Sequence, residues 1–352
     1  MTTEKTATDT LVGTLPPATD VIAASLATGQ ARLTQADDFV RHQSQFDRQA
    51  RVNLQQRTLT VTPEIYLDYL HSQVMPWSGE EIAALKQIIA AIAVKFAPLD
   101  FTLPDAIYLV KTSGQEEGYA AYTRQRDVIA LPANMIASLQ TAPNYGDPLH
   151  PAQSLTYLQD TITHECFHLF SKNNAERRER LYAAIHYQPT GAAVELPAIP
   201  WPDPGSPETM RDLKITNPDT PVLDVYIEMT VKKDPDAADA PLVRRPLLPV
   251  LLASGPYQGG IFFDYLQWYF LAIERDAAGR WRPVMTADDR PVVYLMSPAN
   301  RQLWDQYLQL IGNNVAGELF HPDEVLAQNF VFVANLPTLG LLTTMGDLLR
   351  QA

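Results

Sequence analysis

The order of sequence patterns predicts an α+β fold: a core made of a small sheet and one central helix, followed by a C-terminal helical lobe. Three observations carry that expectation. Helical periodicity frames the chain at both ends, and short β-branched and apolar runs lie between, from Ala106 to Pro132 and from Val222 to Met296. No glycine-rich phosphate loop follows a strand, which sets a doubly wound dinucleotide fold aside.

Residues 1 to about 35 are rich in Thr, Ala and small polar side chains around Pro16-Pro17, and read as a flexible or peripheral lead. The segment 36–188 holds N-terminal helices, the sheet and the central helix. Pro63 suits the first turn of a short helix reaching Met75, and Ser78-Gly79-Glu80-Glu81 opens a stronger one with Ile82, Leu85, Ile88, Ile89, Ile92 and Phe96 at helical spacing. Strands are expected at Ala106–Val110, Ala120–Thr123 and Asp127–Pro132. A loop from Thr141 to Pro151 then leads into a helix over Ala152–Asn173, and a second helical run covers Glu176–Tyr187, whose arginines read as solvated surface. Residues 189–298 form a proline-rich, extended insertion or crossover, with strands near Val222–Val231, Tyr257–Glu274, Trp281–Met285 and Pro291–Met296. The segment 299–352 returns to helix at Asn300–Ile311, His321–Asn335 and Leu341–Gln351.

Composition bounds the function. Hydrophobic residues at 46% and charged residues at 19% describe a folded globular chain. A net charge of −13 disfavours nonspecific binding to nucleic acid, and no apolar run is long enough for stable membrane insertion. One cysteine, Cys166, excludes an internal disulfide framework and reads as buried helix packing. With no secretory signal pattern at its start, the chain is expected in the cytoplasm, and secretion without a cleaved signal is compatible with the same sequence. Oligomeric state is not written in these patterns.

The central helix carries His164-Glu165-Cys166-Phe167-His168. Histidines four apart lie one turn apart on the same face, so both imidazoles reach one metal ion while Glu165 stands beside them. Zn2+ fits that donor set, with a third protein ligand and one position for water. Glu165 is then the general base that takes a proton from the attacking water. Leu158, Ile162, Phe167, Leu169 and Phe170 flank the motif, and histidines buried among them are costly unless bonded or metallated.

A third ligand comes from elsewhere in the chain. Ser171 and Asn174 occupy the positions where a compact three-histidine motif needs Gly and His. The best candidate is Glu324, in the first turns of a helix opening at Pro322, while Asp323, Glu318 and His321 compete. With these residues the sequence resembles the thermolysin-like gluzincin metallopeptidases, whose motif helix is completed by a later Glu-x-x-Ala-Asp or Glu-x-x-Ser-Asp helix. Glu324-Val325-Leu326-Ala327-Gln328 matches the glutamate and the alanine, and Gln328 replaces the acid. The resemblance covers mainly residues 158–173 and 321–333. It implies a zincin-like catalytic core, His164, His168 and Glu324 as ligands of one catalytic zinc, Glu165 as base and proton carrier, and peptide or protein substrates. In that pattern the acid orients a ligating histidine; Gln328 accepts a hydrogen bond without supplying its charge, and Asn329 and Asp160 are substitutes.

The oxyanion donor is not specified by a motif; Tyr257, Tyr294, His186 and His321 are candidates. Two other readings stand beside the peptidase: a noncatalytic metal-binding structural or interaction protein with the same architecture, and a metal-dependent hydrolase of nonpeptide amides or esters.

Overall fold

The computed structural model describes residues 8–53, 60–136, 155–312, 318–335, 345 and 347–349. The chain is α+β and divides into two compact units, one of Met1–Asp37, Thr62–Arg178 and Leu326–Ala352, the other of Asp38–Val61 and Glu179–Val325.

The first unit is built on a mixed sheet, six-stranded among the described residues. Its spatial order is Thr10–Leu15, Thr19–Ala23, Ala106–Thr112, Val128–Pro132 and Tyr122–Arg124, with Val74–Met75 paired beside Ala106–Thr112. Thr19–Ala23, Ala106–Thr112 and Val128–Pro132 run parallel, and the outer pairs are antiparallel. Val128–Pro132 is buried at every position, the continuous apolar texture of a strand covered on both faces. The N-terminal hairpin is an element that the sequence reading misses, because its Thr, Gly and Asp residues dilute the alternation; Val12, Leu15, Val21 and Ala23 nevertheless enter the core.

The helix Gly79–Phe96 packs on that hairpin. Ser78 caps it with a reciprocal bond to Glu81, and its buried positions are the periodic Ile, Leu and Phe residues of the sequence. Gly13 permits the approach: a Cβ there would sit 2.7 Å from Ile89 Cγ2. Helix Pro63–Gln73 starts on Thr62 with proline in its first turn, as expected. The motif helix spans Leu155–Asn173 and packs against Gly79–Phe96. The predicted loop Thr141–Pro151 and most of the predicted helix Leu341–Gln351 lie outside the described residues.

The second unit centres on an antiparallel sheet, seven-stranded among the described residues. Trp281–Pro283, Leu266–Arg275, Leu242–Ala253, Val225–Lys232 and Tyr187–Pro189 lie in that order, with Val293–Leu295 beside Leu266–Arg275 and Lys214–Ile215 beside Leu242–Ala253. Tyr187 therefore opens a strand rather than ending a helix; the helix stops at Ala184, and His186 turns the chain with φ of 65°. Leu242–Ala253 is central despite Pro246 and Pro249, residues that usually argue for an edge. Its Leu248 and Leu252 pack with Met210, Trp201, Tyr257 and Leu271 in the core of this unit.

The helices Arg301–Leu310 and Pro322–Asn335 form the C-terminal helical part. No helix among the described residues is long and apolar enough to cross a membrane.

Candidate metal centre

The motif helix buries one full face. Leu158, Ile162, Phe167, Leu169 and Phe170 are at most 1% exposed, so the helix is held by packing on either side of the His-Glu-x-x-His segment. Thr161 and Thr163 return their hydroxyls to the carbonyls of Tyr157 and Gln159, which satisfies those polar groups locally. The two imidazoles lie edge to face with ring centroids 4.8 Å apart. His168 is fully buried and Glu165 is 4% exposed, whereas His164 is only half-buried.

The glutamate is carried by helix Pro322–Asn335, with Asp323 and Glu324 in its first turn. The body of this helix is anchored in the first unit. Phe330 stacks on Phe101 at 4.4 Å, Phe101 stacks on Phe170 at 4.6 Å, and Phe330 lies 5.7 Å from Phe167. One aromatic cluster thus supports both helices, and Glu324 projects from the start of the same continuous element. One ligand atom each from His164, His168 and Glu324 falls within 4.8 Å of the others. Glu165, His168 and Asp219 form an overlapping group of the same dimension.

Two imidazoles and a carboxylate are the donor set of a catalytic zinc, whose ligand atoms stand about 3.3 Å apart in a tetrahedron of ~2.05 Å bonds. The separations therefore need side-chain adjustments of no more than about 1.5 Å to close on an ion of that size. Glu324 is 2% exposed, and a cation among these buried carboxylates compensates charge that would otherwise be costly to bury. The residues present fit the metal.

Two of the competing ligands have other engagements and the third is exposed. Asp323 accepts the hydroxyl of Tyr182 at 2.7 Å, His321 Nδ1 accepts the Asp323 N–H at 3.2 Å, and Glu318 is exposed. Of the three residues considered as supports, Gln328 is half-buried and Asn329 is 1% exposed, and Asp160 accepts from Asn335 at 3.2 Å and pairs with Lys95 at 3.8 Å. Asp160 thereby ties the motif helix to its neighbours.

The four residues considered as oxyanion donors stand in different surroundings. Tyr257 Oη bonds Asn53 and Gly260, Tyr294 Oη donates to the carbonyl of Lys232, His186 is exposed on its turn, and His321 packs edge-on against Tyr182. Both tyrosine hydroxyls hold the local structure of the second unit.

Asn217 and Asp219 are the residues that sequence reasoning missed. Asn217 Nδ2 donates to Glu324 Oε1 at 2.6 Å, and the Asp219 N–H donates to Asn217 Oδ1 at 2.8 Å. Asn217-Pro218-Asp219 has turn-forming composition and no motif that marks it as part of a site. Cys166 packs inside the motif helix as expected; burial, reinforced by the charge of Glu165, pushes its thiol pKa well up, which makes it a poor nucleophile and metal ligand.

The structure therefore contains a His-Glu-x-x-His helix joined by a distal glutamate, an arrangement consistent with a zincin-like metal-binding site. Comparison with protein-family models, with curated proteins and with solved structures finds no match, and the donor set with its geometry carries the assignment.

Proposed function

We propose that the protein is a zinc-dependent hydrolase of the gluzincin type acting on peptide bonds. The observation that carries this reading is the convergence of His164, His168 and Glu324 with Glu165 on the same helix turn. When bound there, zinc supplies Lewis acidity toward a carbonyl and makes water more acidic.

His164, His168 and Glu324 hold the ion. Glu165 is placed by the motif helix one residue from His164, and its carboxylate accepts the proton of the attacking water and returns it to the departing amine. Burial of that carboxylate at 4% exposure excludes bulk water from the exchange. A second reading, a metal centre serving structure alone, draws support from the complete burial of His168.

Metal analysis and turnover separate the two readings. The purified chain is expected to bind one zinc and to cleave members of a broad peptide library, with Glu165→Gln retaining the metal and losing the cleavage. Stoichiometric zinc without cleavage of any peptide would leave the structural reading, and absence of metal binding would remove both.

A further inference from the structure

We propose that Asn217 is the positioning residue of the Glu324 carboxylate, and that the buried Asp47–Arg51 ion pair holds Asn217 in place. The inference rests on Glu324 being a metal ligand.

The amide of Asn217 has one orientation. A main-chain N–H needs an acceptor, and the Asp219 N–H finds it in Asn217 Oδ1 at 2.8 Å, which turns Nδ2 toward Glu324 Oε1 at 2.6 Å. The loop is closed a second time by the Thr220 N–H on the Asn217 carbonyl at 3.3 Å. Asn-Pro-Asp-Thr is the composition of such a turn, with proline at its second position and an asparagine side chain bonding two residues on. A donor fixed on Oε1 restrains the plane of the carboxylate.

The residue before Asn217 is held with equal firmness. Asp47 accepts the Thr216 N–H at 3.0 Å and its hydroxyl at 2.7 Å, while Arg51 bonds Asp47 at 2.7 Å and the Thr216 carbonyl at 2.9 Å. Arg51 is 1% exposed and Asp47 fully buried, and the guanidinium lies over the rings of Phe39 and Phe262. A buried ion pair is roughly neutral for stability compared with apolar packing of the same shape. Here it has a further use: it immobilises the backbone on which Asn217 stands. A capped helix, Gln45–Arg51, is linked in this way through Thr216 and Asn217 to a ligand carboxylate far along the chain.

The test measures zinc affinity of the full chain by competition with a chromophoric chelator, the visible absorption of the cobalt-substituted protein, and apo melting temperature. Asn217→Ser keeps a hydroxyl acceptor for the turn but does not reach Glu324; Asn217→Ala removes both. Both variants are expected to lose about 10–100-fold in zinc affinity, to shift the cobalt bands, and to melt near wild type without metal. Thr216→Val, which keeps the main-chain bond to Asp47, is expected to lose less. Wild-type affinity and cobalt bands in Asn217→Ser overturn the positioning role. Arg51→Met removes the donors to Asp47 and to the Thr216 carbonyl and is expected to lose zinc affinity as well; loss in Asn217→Ser with none in Arg51→Met overturns the part played by Asp47 and Arg51. His164→Ala is the control: equal binding by wild type and His164→Ala, or binding by neither, defeats the metal-centre reading itself, a result distinct from failure of Asn217 alone.

Discussion

Phe101 stacks on Phe330 with ring centroids 4.4 Å apart and planes 17° from parallel. It stacks equally on Phe170, so a residue outside both ligand-bearing helices is their shared support. Phe101→Ala is expected to lower unfolding free energy by about 3–5 kcal/mol and to weaken zinc binding with it. Urea denaturation and chelator competition check the two effects; a destabilised variant with unaltered metal affinity would show that the cluster does not place Glu324.

Removal of the base separates chemistry from binding. Glu165→Gln is expected to lower peptide hydrolysis by about 10²–10⁴-fold at unchanged zinc content. Turnover at the wild-type rate in the metal-loaded variant would sink the role assigned to Glu165.

Among the acids near the start of the ligand helix, Glu324 is distinguished by its place beside the histidines. Glu324→Gln is expected to reduce zinc affinity by more than tenfold, whereas Glu318→Gln at an exposed position leaves it intact. The reverse pattern in metal titrations would transfer the third ligand to Glu318.

Glu116 gives a pH signature of the first unit. Burial pushes its carboxyl above the ordinary value of 4.5, against the opposing hydrogen bond donated by the Tyr122 hydroxyl. The folded state therefore keeps a proton that the unfolded chain releases, and this contribution to stability is full below 4.5 and falls as pH rises through the folded value. Glu116→Gln, which keeps an acceptor for the Tyr122 hydroxyl, is expected to raise the melting temperature at neutral pH and to lose that advantage below 4.5. Melting curves at both pH values decide it; a variant less stable at neutral pH contradicts the expectation.

The legible parts of the molecule were the local ones. His164 and His168 could be read because a single helix turn places them, and Glu324 because Pro322 and two acids announce a helix start. The Ser78–Glu81 capping box was equally open to reading. Asn217 was hidden, since its partner is 107 positions away and nothing in Asn-Pro-Asp distinguishes a positioning turn from an ordinary one. The central strand Leu242–Ala253 was obscured by Pro246 and Pro249, whose missing donors the sheet tolerates. Asp160, one turn before His164, also meets Lys95 and Asn335 on neighbouring helices, contacts that its place in the sequence does not announce.

Cys166, 1% exposed and the sole thiol of the chain, sits between the two histidines on the motif helix. A thiol-reactive dye reaches it only through fluctuations that open this helix, so its labelling rate is a clock for local unfolding at the heart of the molecule. A cation that binds only the closed helix slows that clock in proportion to its occupancy. The labelling rate of Cys166 is thereby a test of occupancy at the proposed metal site that needs neither a substrate nor an engineered label.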